Sequence, residues 1–136
     1  VLFEYLDQKN GHDEVVRYWN YISDNSVSNS LGKLVKEKGL MGCWQFYNEA
    51  HTSEAADVTL TLDEEAQAMT IDMRFCPSKG RLIKLAHMKP YYDYCGHCKV
   101  IYKKVLNKYG IIEVRDHAHI DEARCFRTFS VNKPLF

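Results

Sequence analysis

An α+β fold follows from three features of the 136-residue sequence. Apolar residues recur at helical spacing through roughly residue 50, the spacing drops to two at Asp57, and two further extended runs follow one long helical segment. N-terminal helices, then hairpin, helix and hairpin, predict an antiparallel sheet of two hairpins with the long helix packed against it. The length suits one domain, residues 1–136, with a helical part over 1–56 and a hairpin-helix-hairpin part over 57–136.

The first helix is expected from Asp13 to Ile22, where Val15, Val16, Trp19 and Ile22 share a face behind the cap Asp13. Ser23-Asp24-Asn25-Ser26 breaks it, and Leu31, Leu34, Val35 and Lys38 start a second helix that Gly39 stops. Gly42 to Ala50, with Cys43, Phe46 and Tyr47 on one face, predicts a third. Val58, Leu60 and Leu62 then alternate with Thr59 and Thr61, an acidic turn follows, and Met69, Ile71, Met73 and Phe75 alternate with polar residues up to Cys76-Pro77. These two runs predict a hairpin whose second strand faces the core. Lys89-Pro90 introduces a long helix expected over Tyr91 to Tyr109, closed by Gly110. Ile111 to Arg115 and Arg124 to Val131 form the last hairpin, and Pro134 falls in the tail that follows.

Lys plus Arg total 18 and Asp plus Glu total 18, so no net field favours nucleic acid or an anionic membrane. No window approaches the apolar run of about 20 residues that a membrane-spanning helix needs. Motifs of the forms GxxxxGK[ST], GxGxxG and GxSxG are missing, which removes the usual nucleotide and serine-hydrolase readings. Val1-Leu2-Phe3-Glu4 shows no basic leader pattern, and five spread cysteines, an odd number, favour a reducing cytoplasm. The partner expected is a small-molecule ligand or substrate, with no nucleic acid and no membrane; a homo-oligomer is compatible with the sequence.

The most specific motif is Tyr94-Cys95-Gly96-His97-Cys98, because C-x-x-C at a helix start puts two sulfurs within one turn. Half of a zinc site, a redox dithiol and a pair of buried thiols all satisfy it. The zinc reading takes Cys95 and Cys98 with Cys125 and one of His117 or His119, which bracket the last hairpin; Cys76 closes the first. His117 and His119 would share a polar, wet strand face with Glu113 and Arg115, where His119 is a candidate catalytic base. A hydrolase reading takes Cys76, Cys95 or Cys98 as nucleophile, favoured at a helix start by the dipole. The assignment is zinc on Cys95, Cys98, His117 and Cys125, with Cys76 and His119 catalytic. His97 is expected in solvent, off the face of the two cysteines, and Cys43 in the core. His12, His51 and His87 stand alone and receive no role. Lys99, Lys103, Lys104 and Lys108 form a basic stripe expected to be solvated.

The succession Phe75-Cys76-Pro77, a Cys-bearing helix ending Tyr109-Gly110, and a last strand beginning Cys125-Phe126-Arg127 resembles the L-2-amino-thiazoline-4-carboxylic acid hydrolase-like family over about residues 57 to 131. In outline it is also similar to four-vinyl-reductase-type small-ligand-binding domains, where a helix cysteine and the final hairpin can hold zinc; His117 takes the upstream hairpin place and Cys125 the downstream one. The first resemblance implies a hydrolase of a small amino-acid-derived or heterocyclic substrate. The second implies a zinc-containing, sensor-like binding module without catalysis.

Overall fold

The computed structural model describes residues 1–85 and 87–131; Pro134 lies outside the described residues. Helices α1 (Leu2–Asn10), α2 (His12–Asn25), α3 (Leu31–Lys38) and α4 (Leu40–Ser53) precede strands β1 (Asp57–Asp63) and β2 (Ala68–Phe75). Helices α5 (Pro77–Lys84) and α6 (Gly96–Lys108) follow, then β3 (Ile111–Asp116) and β4 (Cys125–Val131). The class is α+β, as the periodicity predicts. Among the described residues no helix is long and apolar enough to cross a membrane.

Helix α2 buries Val15, Trp19 and Ser23, one residue per turn, and α3 buries Leu31 and Val35 in the same way. Gly42 lets α4 approach α3, since a Cβ there would run into the Leu34 carbonyl. Gly39, at φ 63, supplies the left-handed turn between them.

The sheet runs β1-β2-β4-β3, antiparallel throughout, so the two hairpins join through β2 and β4. Leu60 pairs with Ile71, Ile71 with Arg127, and Arg127 with Arg115, which places all four on the face that packs on the helices. Met69, Ile71 and Met73 are buried there with Phe129, Val105 and Leu106.

Several expectations need correction. Helix α1 and helix α5 fall in segments where no helix is expected; α5 arises because Cys76 caps it, its Sγ accepting from the Lys79 amide at 3.5 Å, and Pro77 takes the first turn. The long helix starts at Gly96 rather than Tyr91, since Tyr91 to Cys95 form turns, and Pro90 therefore lies outside it. The strand face carrying Glu113 and Arg115 is not wet. Their side chains are 4% and 10% exposed, while Ile112 and Val114 point to solvent at 43% and 63%. Strand β3 thus inverts the usual pattern, and the reason lies in its neighbour: Arg127, buried on β4, needs a carboxylate beside it.

Candidate functional site

The site forms where three chain segments end together. Strand β2 ends in Cys76, whose amide donates to the Ala123 carbonyl at 2.7 Å and so ties the start of α5 to the start of β4. The turn before α6 brings Tyr94 and Cys95, and the first turn of α6 itself brings His97 and Cys98. The end of β3 brings Arg115 and His117, and β4 opens with Cys125. All of these line one cavity of about 40 Å³, together with Lys79, whose residue is only 9% exposed. All five cysteines are free thiols. Four of them, Cys76, Cys95, Cys98 and Cys125, line this cavity, whereas Cys43 is fully buried in the core and burial pushes its thiol up to about 12.

His97 does not point to solvent. Its ring packs against Tyr94 and Phe3, at centroid distances of 4.8 and 5.8 Å. The Nδ1 atom hydrogen-bonds the Tyr94 carbonyl oxygen, and Nε2 lies 3.3 Å from Cys98 Sγ. A helix start permits this contact: neighbouring side chains diverge by about 100° in a regular helix, but the His97 ring is drawn back over the turn by the Tyr94 carbonyl.

Burial alone would raise the Cys98 thiol. The His97 imidazole hydrogen-bonded to it outweighs that penalty, with Arg115 and Arg127 adding to the effect, and brings it down to about 6. Burial works against charge on His97 too, yet the contact with Cys98 and the Tyr94 carbonyl holds it above its ordinary value. The Cys98 thiol is thus brought below neutrality, and each group favours the charged form of the other. Burial pushes the Cys95 and Cys125 thiols up, so Cys98 is set apart from these two neighbours.

Behind the pair lies a buried ionic network. Glu113 Oε1 accepts from Arg115 Nε at 2.5 Å and from Arg127 Nε at 2.9 Å, while Arg127 Nη2 donates to the Tyr47 hydroxyl at 2.9 Å. The Arg127 guanidinium also lies 4.6 Å from the Tyr47 ring centroid. Burial opposes the Glu113 charge, but Arg127 and Arg115 hold its carboxyl below the usual range. Arg115 Nη2 and Glu113 Oε2 are buried without a hydrogen-bond partner. Buried donors are ordinarily satisfied, so the unpaired Arg115 Nη2 beside the cavity stands out.

The structure brings together Cys95, Cys98, His117 and Cys125, the expected zinc set, and adds Cys76. Among the described residues, however, no group of three or more His, Cys, Asp and Glu side chains is placed to hold a metal ion. His119 does not join the cavity. It lies in a neighbouring groove with Asp72, Asp116 and Phe126, its Nδ1 3.3 Å from Glu122 Oε2, and Cys76 lacks it as a neighbour there. A second groove of about 240 Å³, lined by Lys99, Lys103, Glu113 and Val114, shares Arg115 and His117 with the cavity. Two members of the basic stripe therefore border the site, while Lys104 pairs with Asp24 at 2.6 Å.

His97 and Arg115 are the residues that sequence reasoning misses as site residues. For His97 the adjacency to Cys98 was a signal, overridden by regular helix geometry. For Arg115 there was none, because β3 alternates in the opposite sense to its burial. His51, given no role, is also not a surface residue: its side chain is 12% exposed and stacks on Tyr47, and burial, with Arg127 nearby, lowers its basicity. Compared with known proteins, the chain matches no protein-family model and no curated protein.

Proposed function

We propose that the protein is a thiol-dependent hydrolase of a small molecule, with Cys98 as nucleophile and His97 as its acid and base. The observation that carries this reading is the contact of Cys98 Sγ with His97 Nε2, in a ring whose other nitrogen is held by the Tyr94 carbonyl. Nucleophile, base and orienting acceptor stand in the relation that covalent catalysis requires. In the reaction the Cys98 sulfur attacks an electrophilic carbon bonded to nitrogen, and His97 gives its proton to the departing nitrogen. Neutral His97 then takes a proton from water, which attacks the thioester-like intermediate and frees the sulfur. Arg115, with its unpartnered Nη2, supplies a donor for negative charge that develops beside the cavity.

The cavity admits only the reacting end of a substrate; the adjoining groove has room for the rest of a small one. This agrees with the small amino-acid-derived or heterocyclic substrate implied by the resemblance to the thiazoline-carboxylate hydrolase-like family. The test is turnover of a panel of small cyclic amidines and amides by the intact chain, with covalent trapping on Cys98 detected by mass spectrometry. Activity retained by Cys98→Ser would overturn the reading.

A zinc-containing small-ligand module is the second reading, favoured by the convergence of Cys95, Cys98, His117 and Cys125 on one cavity. It requires these side chains to close on an ion, since among the described residues they do not stand as a ligand set. Metal content decides between the two.

A further inference from the structure

Hydrolysis needs one sulfur, yet the cavity holds four. Cys76, Cys95 and Cys125 are all reduced and all face the same small space as Cys98, and nothing in the proposed reaction uses them. Three thiols beside a reactive one are a liability unless they act on it, because a sulfur oxidised there has partners within reach.

We propose that the cavity is a peroxide-oxidised thiol site in which Cys98 is converted to a sulfenic acid and Cys95 resolves it as an intramolecular disulfide that reversibly blocks the nucleophile. The proposal rests on the reading of Cys98 as the reactive thiol and adds the regulation of that site.

Three observations carry it. The cavity, at about 40 Å³, has the volume of a few water-sized spheres, which suits hydrogen peroxide and excludes bulky oxidants from the sulfur. His97 Nε2, 3.3 Å from Cys98 Sγ, is placed to supply the proton that a leaving hydroxide needs. Cys95 lies three residues before Cys98, the spacing that brings side chains onto one helix face about 5–6 Å apart. It stands at the N-cap position of α6 with helical backbone (φ −71, ψ −12) and no side-chain cap hydrogen bond, so closure to disulfide distance removes no cap bond from the helix. Cys76 and Cys125 share the cavity but sit on other segments, which the Cys76 amide and the Ala123 carbonyl tie together.

The steps balance. The Cys98 sulfur attacks one oxygen of hydrogen peroxide, the O–O bond breaks, and the second oxygen leaves as water with the proton from imidazolium. Cys98 sulfenic acid, at the sulfur, is then attacked by the Cys95 thiol; an S–S bond forms and a second water leaves. Peroxide is reduced by two electrons and the two thiols are oxidised by two. A small dithiol resets the pair, being oxidised to its own disulfide as both protein thiols return.

The experiment treats the intact, metal-free chain with stoichiometric hydrogen peroxide, alkylates it under denaturing conditions and maps the peptides by mass spectrometry. The expected result is a species lighter by two hydrogens, with Cys95 and Cys98 linked and both lost to alkylation. Dithiothreitol should restore them. Cys95→Ser should stop at a sulfenic acid on Cys98 that dimedone traps, while Cys125→Ser should still form the link; circular dichroism verifies that each variant is folded. A link from Cys98 to Cys76 or Cys125, or peroxide consumption that leaves all thiols free, overturns the proposal. Iodoacetamide labelling of untreated protein separates the two readings: fast labelling of Cys98 without a peroxide-induced link leaves the nucleophile standing and removes the switch. Slow labelling of Cys98 removes both.

Discussion

Cys98 Sγ and His97 Nε2 are 3.3 Å apart although the two residues are consecutive in α6. Consecutive helical residues ordinarily face about 100° apart. Here the Tyr94 carbonyl, one turn earlier, holds the imidazole by Nδ1, and the other nitrogen lands on sulfur. The chemistry of the site depends on that one displaced ring.

The first prediction concerns pH. The thiolate, not the thiol, reacts with alkylating agents. With the Cys98 pKa brought from the ordinary 9.0 to about 6, its labelling by iodoacetamide should be slow below pH 6 and reach a plateau near neutrality. Replacing His97 by Gln should move the midpoint upward by about 1 to 3 pH units, since the neighbouring charge is lost. An unmoved midpoint would detach His97 from the shift.

Removal of Glu113 tests the buried network. Glu113→Gln leaves Arg115 and Arg127 buried without their carboxylate, and breaking a buried pair in this way typically costs about 3 to 5 kcal/mol. The pH dependence has a defined sign. The folded-state carboxyl of Glu113 is depressed, so its contribution is present above the unfolded pKa and is lost as pH falls through the lower folded value. Urea denaturation from pH 7 into the acid range should therefore show a destabilising limb in the parent chain that flattens in Glu113→Gln.

Packing of the sheet is tested at Ile71, fully buried between Leu60 and Arg127. Ile71→Ala should cost about 2 to 4 kcal/mol by denaturant midpoint with unchanged slope. A loss under about 0.5 kcal/mol would put this face in water.

The approach of α3 to α4 is tested at Gly42. A Cβ there meets the backbone carbonyl of Leu34, which cannot rotate away as a side chain can. Gly42→Ala should destabilise by about 1 to 3 kcal/mol despite the better helix propensity of alanine. Stabilisation by this change would show that the helices sit farther apart.

Metal content divides the two functional readings. Protein prepared without metal-affinity steps should contain substoichiometric zinc, and a chelator should leave its melting temperature and its Cys98 labelling unchanged. One tightly held zinc per chain, with a fall in melting temperature on removal, would favour the binding module, because a structural ion contributes directly to folding.

Periodicity carried most of the backbone. The hairpin of β1 and β2 was legible because alternation over two runs joined by an acidic turn has one reading, and Leu31 to Lys38 was legible because Gly39 marks its end. Helix α1 was not legible, since only Phe3 and Leu6 pack on the core and none of its residues is fully buried, and α5 was hidden because Pro after a strand reads equally as a stop and as a helix start.

The sequence alone determined that Cys95 and Cys98 sit together at the start of a helix and that Cys76 and Cys125 sit at strand ends, since these follow from local spacing. Only the tertiary structure decided that all four meet in one cavity, that His97 is the partner of Cys98, and that Glu113 and Arg115 face inward. The physical reason is shared by all three. Local preference sets the dihedrals of a segment, but a polar side chain is turned inward or outward by the partner it finds there, and Arg127 on β4 and the Tyr94 carbonyl are partners that no neighbouring stretch of sequence announces.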